Sequence, residues 1–264
     1  MANRIDIKLN RAKKSGQFVL APFLTVGFPT VSTSIEVASE IIEAGADILE
    51  LGIPFSDTLA EGPTIQRSSL RSLQSGVNFG TCLEVARKVR QANSEVPLIL
   101  MGYYNTLMKF GLSKAVNQAV DAGVDGFIVA DLPIEESTIF AKICFENELH
   151  LVPLLAPTST DERIKKACSQ AGGFIYCVSV TGVTGARSDL NSGVAQLVSR
   201  IRSYTDLPIL VGFGVSTPQH VREISQFADG AVFGSALIDV MEKNENNVEA
   251  ASNFVSDMKK ATLL

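Results

Sequence analysis

Glu43-Ala44-Gly45-Ala46-Asp47-Ile48-Leu49-Glu50-Leu51-Gly52-Ile53-Pro54 holds a whole change of structure in one short stretch. A helical pattern stops at Gly45, an apolar strand starts at Ala46, and Pro54 closes it. The step recurs. Asp121-Ala122-Gly123-Val124-Asp125 and Ala171-Gly172-Gly173 each end a helical pattern and launch another apolar run. These runs are rich in Val, Ile, Leu and Phe on both faces, as parallel strands covered on both sides are.

Counting such runs gives eight strands, at Phe18 to Val26, Ala46 to Pro54, Pro97 to Asn105, Gly126 to Leu132, His150 to Ala156, Phe174 to Val180, Pro208 to Val215 and Gly230 to Ala236. Helical patterns fill the intervals. Eight β/α steps predict a closed (β/α)8 TIM barrel of the α/β class, with an extra helix over Ile5 to Lys14 able to plug one end and a short extra helix after the eighth strand. The first strand is followed by Gly27-Phe28-Pro29, with no Gly-x-Gly-x-x-Gly, which counts against an open dinucleotide-binding sheet.

With 264 residues and 46% hydrophobic content, one domain over residues 1–264 is expected. A net charge of -5 without a Lys/Arg-rich stripe argues against nucleic acid or an anionic membrane as partner. Cys82, Cys144, Cys168 and Cys177 lack CxxC spacing and sit in apolar segments, so reduced, packed thiols are expected. No run reaches the roughly 18 apolar residues of a membrane span, and Met1 to Lys14 has neither the apolar core nor the cleavage site of a signal. The expected location is the cytoplasm or a plastid interior, no transit peptide being evident.

In such a barrel the chemistry gathers where strands end and βα loops begin. Glu50 shares one face of its strand with Ile48 and Gly52, pointing into an apolar layer. Loss of water there raises a carboxyl pKa toward the range useful for proton transfer. Two roles are open to it: acid or base, or a structural carboxylate satisfied by an Arg or a backbone partner.

Gly212 and Gly214 after the seventh strand, with Gly234 and Ser235 after the eighth, fit a phosphate cradle of backbone amides at a helix start; they also fit plain tight turns. Thr181 to Asp189 reads as a lid or as an ordinary surface loop, and Gly185 in it can reach a phosphate. Phe23, Tyr103, Tyr176 and Phe213 offer aromatic surface for a planar ring, or simply fill the barrel core. No Lys ends a predicted strand. His150 lies at the wrong end of the fifth strand and His220 inside a helix, so neither a Schiff base nor a His-carboxylate metal site is indicated.

Glu50-Leu51-Gly52-Ile53-Pro54-Phe55-Ser56-Asp57 with Gly62-Pro63-Thr64-Ile65-Gln66 closely resembles the signature of the tryptophan synthase alpha chain family. Ala130 to Glu136, Gly182-Val183-Thr184-Gly185 and Gly212-Phe213-Gly214-Val215-Ser216 continue the resemblance in order. It implies retro-aldol cleavage of indole-3-glycerol phosphate to indole and glyceraldehyde 3-phosphate. Glu50 would be the acid and base, and Glu61 would face the indole nitrogen. Phe23, Tyr103, Ile128, Tyr176 and Thr184 would line the substrate, with Gly185, Gly212, Phe213, Gly214, Gly234 and Ser235 on its phosphate.

The resemblance also implies a beta-chain partner in an alpha2-beta2 tetramer. That partner would hold pyridoxal phosphate, this chain having no cofactor of its own. Docking would use Pro54, Phe55, Asp57 and Thr58, together with the Met101 to Asn105 region and the lid. The family generally has Asp where this chain has Glu61 and Pro where it has Thr58; Glu61 keeps the charge and adds one methylene of reach. A stand-alone lyase and a non-catalytic phosphate-binding subunit that activates a partner are the alternatives.

Overall fold

Strand β1, Val19–Thr25, is buried at every position, the outcome an unbroken apolar run requires when both its faces are covered. The computed structural model describes residues 3–58, 61–178, 187–212 and 214–263, with backbone only for residues 187–192. After β1 come β2 (Leu49–Gly52), β3 (Leu98–Gly102), β4 (Gly126–Val129), β5 (His150–Leu151), β6 (Leu154–Leu155), β7 (Ile175–Val178), β8 (Ile209–Gly212) and β9 (Gly230–Phe233). Their lateral order is β5-β4-β3-β2-β1-β9-β8-β7-β6, and every pairing is parallel.

Segments β5 and β6 are the two halves of the fifth predicted strand. Pro153 lacks an N–H, which interrupts the ladder there. The backbone still bridges the gap: Val152 N donates to Phe127 O at 2.9 Å and Tyr176 N to Pro153 O at 3.1 Å. One stretch of chain therefore pairs with β4 on one side and β7 on the other. The sheet closes on itself, giving the expected TIM barrel of eight strands.

The helices among the described residues are α1 (Arg4–Ser15), α2 (Val31–Glu43), α3 (Pro63–Gln74), α4 (Phe79–Ala92), α5 (Tyr104–Phe110), α6 (Leu112–Asp121), α7 (Thr138–Glu146), α8 (Asp161–Gln170), α9 (Arg187–Arg202), α10 (Pro218–Ile224), α11 (Ser235–Lys243) and α12 (Asn247–Lys260). Helix α1 starts where the Asn3 side chain accepts from Ile5 N at 2.9 Å, a cap of about 1 kcal/mol. Its buried face of Ile5, Leu9 and Ala12 lies over the N-terminal mouth of the barrel. Asn3 Nδ2 also donates to Asp125 O and Glu148 O, tying the helix across two strand entrances. The short helix after the last strand is α11.

The repeated step has a side-chain counterpart. Asp47, Asp125 and Asp229 precede β2, β4 and β9, and each accepts the backbone N–H of a neighbouring strand's first turn of chain: Leu20 at 3.0 Å, Leu98 at 2.8 Å and Ile209 at 2.7 Å. Basic groups hold each carboxylate from outside. Lys8 and Lys259 serve Asp47, Arg4 and Arg90 serve Asp125, and Arg202 serves Asp229. The third member of this set escapes the Ala-Gly pattern, because Asp229 follows Phe227-Ala228 without a glycine before it.

Strands end earlier than the apolar runs do. The predicted third strand stops at Gly102; Tyr103 is the N-cap of α5, and Tyr104 and Asn105 belong to that helix. Asp131 decides this locally, since its Oδ1 accepts from Tyr104 N at 2.7 Å and turns the chain into a helix. Within Phe174 to Val180 the described strand is Ile175–Val178, and residues 179 and 180 lie outside the described residues.

Candidate active site

Glu50 sits in the middle of β2, in register with Phe23 of β1 and Ile99 of β3. It is 0% exposed, and neither carboxyl oxygen has a hydrogen-bond partner among the described residues. Neither an Arg nor a backbone partner, the structural role left open by the sequence, is therefore provided by these residues. Burial pushes its carboxyl well above the usual range, which favours the protonated acid. A buried, unpaired carboxyl of this kind marks a candidate functional site.

Glu61 arrives from the loop after β2. Gln66 Nε2 donates to the carbonyls of Thr58 at 3.2 Å and Glu61 at 3.1 Å, fastening both ends of that loop to the first turn of α3. The Tyr103 hydroxyl donates to Glu61 Oε2. Burial raises the Glu61 pKa most; the bonds from Tyr103 and from its own backbone N–H pull it down, and the charge of Asp131 adds to the rise.

Phe23, Glu50, Glu61, Tyr176, Gly214, Gly234 and Ser235, seven residues singled out by sequence, line one cavity of about 340 Å³. Tyr176 faces both acids: burial first, then the charges of Glu50 and Glu61, hold its hydroxyl in the neutral form. The cavity closes on Ile65, Met101, Val232 and Phe233, with Asp239 also on its wall. Sequence reading placed Met101 in a docking region and gave the others no place in the site, although Asp239 stands one helical turn after Ser235 and so shares its face.

Other expected residues take different places. Tyr103 touches the site through its hydroxyl. Ile128 is 0% exposed and packs in the barrel beneath, away from the lining of this cavity. Gly212 makes room for a ring instead of lining the cavity: a Cβ there would lie 2.3 Å from the Tyr176 hydroxyl oxygen. Gly52 and Gly234 likewise leave room for Phe23, at 2.2 and 2.8 Å, and Gly234 lines the cavity as well. Gly214 has φ 80°, a conformation that favours glycine. Thr184, Gly185 and Phe213, and the lid as a whole up to residue 186, lie outside the described residues.

Helix α11 begins at Ser235 behind Gly234, which offers no side-chain cap, so the first-turn amides are available to an anion at the cavity wall. Of the expected docking residues, Phe55 is half-buried and Asp57 exposed, whereas Pro54 and Thr58 are buried. Met101 and Tyr103 are also buried, at 7% and 3% exposure, which removes them as surface contacts. His150 bonds Asp6 at 2.9 Å at the N-terminal mouth, as its place in the strand foretold.

A larger cavity of about 680 Å³ opens between strands β4 to β6 and helices α7 and α8. Its wall offers no pair of buried acids: Asp131 is exposed and already caps Tyr104, and Arg163 is paired with Glu135 at 2.9 Å. The two shielded acids line the smaller one. Among the described residues no group of three or more His, Cys, Asp or Glu could hold a metal ion, and no helix is long and apolar enough to cross a membrane.

Two shielded carboxyl groups and a neutral phenol share one cavity with the start of α11, an arrangement with the parts a barrel enzyme would need to move protons on a substrate with an anionic tail. The family model described as tryptophan synthase alpha chain matches residues 9–263. The tryptophan synthase alpha chain of Chloroflexus aggregans is 44% identical, covering 98% of both chains, and that of a Thermoanaerobacter species is 42% identical over 97% and 98%. Among solved structures, the tryptophan synthase alpha chain of Legionella pneumophila superposes with a TM-score of 0.91 at 34% identity, covering 99% of this chain and 98% of that one.

This chain belongs to the tryptophan synthase alpha chain family. It is a lyase of tryptophan biosynthesis, and its reaction is the cleavage of indole-3-glycerol phosphate. Alpha chains carry no pyridoxal phosphate, which the beta-chain partner holds.

Proposed function

We propose that Glu50 is the acid and base of the cleavage and that Glu61 stabilises the positive charge it creates. The bond between indole C3 and the glycerol side chain cannot break heterolytically until C3 is protonated. Glu50 gives C3 its proton, and the charge of the resulting cation rests largely on the ring nitrogen, where Glu61 meets the N–H. The Glu50 carboxylate then takes the proton of the adjacent side-chain hydroxyl as the carbon to carbon bond breaks. That oxygen's electron pair forms the aldehyde, the bonding pair returns to the ring as indole, and Glu50 ends protonated as it began.

The observation that carries this reading is the unpaired, fully buried carboxyl of Glu50 on the wall of a cavity that Glu61 shares. Phe23 and Tyr176 give the indole its apolar faces, and Gly214, Gly234 and Ser235 meet the phosphate. The chain acts as one domain, and Phe55 and Asp57 face the beta chain in an alpha2-beta2 assembly. The solved relative from Mycobacterium tuberculosis, 27% identical with a TM-score of 0.91 over both whole chains, is described as tryptophan synthase in an open form. Four free thiols fit work in the cytoplasm or a plastid interior.

Replacing Glu50 by Gln tests the assignment. Indole formation by the isolated chain, and by the chain with a beta subunit, should fall by at least about a hundredfold, while Glu61→Asp retains activity. Substantial cleavage by Glu50→Gln protein would overturn it.

A further inference from the structure

Phe55 stands half-buried on the loop after β2, and its ring lies flat on that of Tyr103, with centroids 4.8 Å apart and planes inclined by 20°. The far end of the Tyr103 ring carries the hydroxyl that donates to Glu61 Oε2. Surface ring, buried ring and carboxylate thus form one unbroken line from solvent to the cavity. Its two ends lie on the same loop, before and after residues 59 and 60, while the middle lies at the start of α5.

We propose that Tyr103 is the positioning residue that aims Glu61 at the substrate, and that the stacked ring of Phe55 sets Tyr103, so that contact on the outer face of Phe55 is felt at the second carboxylate. The inference rests on the reading that Glu61 serves the indole nitrogen. A phenol has few rotatable bonds and moves as a rigid plate, so a shift of the stacked face displaces the hydroxyl by a comparable distance. Misplacement of a catalytic group by about 1 Å is costly in rate. The longer side chain of Glu61 makes the restraint more necessary, since an added methylene adds a rotor.

The groups facing Glu61 are few. Tyr103 donates to it, Asp131 adds negative charge from the loop after β4, and Glu50, Tyr176 and Asp239 share the cavity. No Lys or Arg lines that cavity among the described residues. The Tyr103 bond is the side-chain contact that keeps the Glu61 pKa down. Its removal therefore leaves Glu61 protonated to higher pH, and the acid limb of the rate profile must move up.

The test uses the full chain with indole-3-glycerol phosphate, reading kcat, KM and the pH profile, alongside a urea midpoint for folding. Tyr103→Phe keeps the stack and loses the hydroxyl. Expected are a kcat lower by about tenfold or more, a KM within about twofold and an acid limb displaced to higher pH. Phe55→Leu should move the limb in the same direction with a smaller loss of kcat, and Phe55→Tyr should restore both. If Tyr103→Phe or Phe55→Leu leaves the limb and kcat in place while Glu61→Gln is inactive, the corresponding link is overturned. If Glu61→Gln remains active, the assignment of Glu61 fails instead.

Discussion

Gly212 and Tyr176 meet so closely that a Cβ on the glycine would lie 2.3 Å from the tyrosine hydroxyl oxygen and 2.5 Å from its ring. The two residues belong to neighbouring parallel strands, β8 and β7, and the ring crosses the gap between them on its way to Glu50 and Glu61. The glycine expected from the sequence to meet a phosphate also leaves the space that the Tyr176 ring occupies.

Gly212→Ala should therefore push the Tyr176 ring into the cavity. Overpacking of this kind costs about 1 to 3 kcal/mol, and kcat/KM should fall by about ten- to a hundredfold. Urea midpoints provide the check: in the Gly212→Ala background, Tyr176→Leu should recover stability. A double variant no more stable than Gly212→Ala alone would show that the ring is not what the methyl strikes.

Glu50 predicts a pH signature of its own. Its folded pKa is raised by burial, so the folded state holds the proton more tightly than the unfolded chain does. The stability it contributes is fully present below the unfolded carboxyl pKa, about 4.3, and is lost as pH rises through the folded value. Glu50→Gln has no such loss. Thermal unfolding should show the variant gaining on the wild type as pH rises from about 4 toward 8; a constant difference across that range would contradict an unpaired, buried acid.

The aspartates at the barrel entrance should separate by burial. Asp125 is 3% exposed, and removing it strands Arg90, whose side chain is 12% exposed; Asp125→Ala should cost about 3 to 5 kcal/mol. Asp229 holds the equivalent position with its side chain 38% exposed, and Asp229→Ala should cost about 1 to 2 kcal/mol. Equal losses on urea unfolding would remove burial as the deciding term.

Thiol chemistry gives a further check. Burial pushes Cys82 far up and pushes Cys144 and Cys177 up to about 12, whereas Cys168 is half-buried and raised less. An alkylating reagent applied to the folded chain at pH 8 should label Cys168 first and the other three only on unfolding. Mass spectrometry of the digested protein reads the order.

Periodicity and punctuation carried the barrel, because the chemical pattern of a buried parallel strand and the glycine that ends a helix are local properties of the chain. Glu50 was legible for the same reason: a carboxylate at an inward position of an apolar strand has few outcomes. The ends of strands were less so, since Tyr103 and Tyr104 are good strand formers and only Asp131, 27 residues beyond Tyr104, draws them into a helix.

Residue identities in this chain determined a closed barrel, a buried acid and the glycines beside it. Tertiary structure alone decided which side chains fill the space beside those glycines, which of the aromatic residues face the acids, and that Thr58 is buried where a docking contact was expected. The reason is distance along the chain: Gly212 and Tyr176, Gly52 and Phe23, or Asp229 and Ile209 are brought together by strand pairing, and no local pattern records which side chain will need the space or the charge that a distant one supplies.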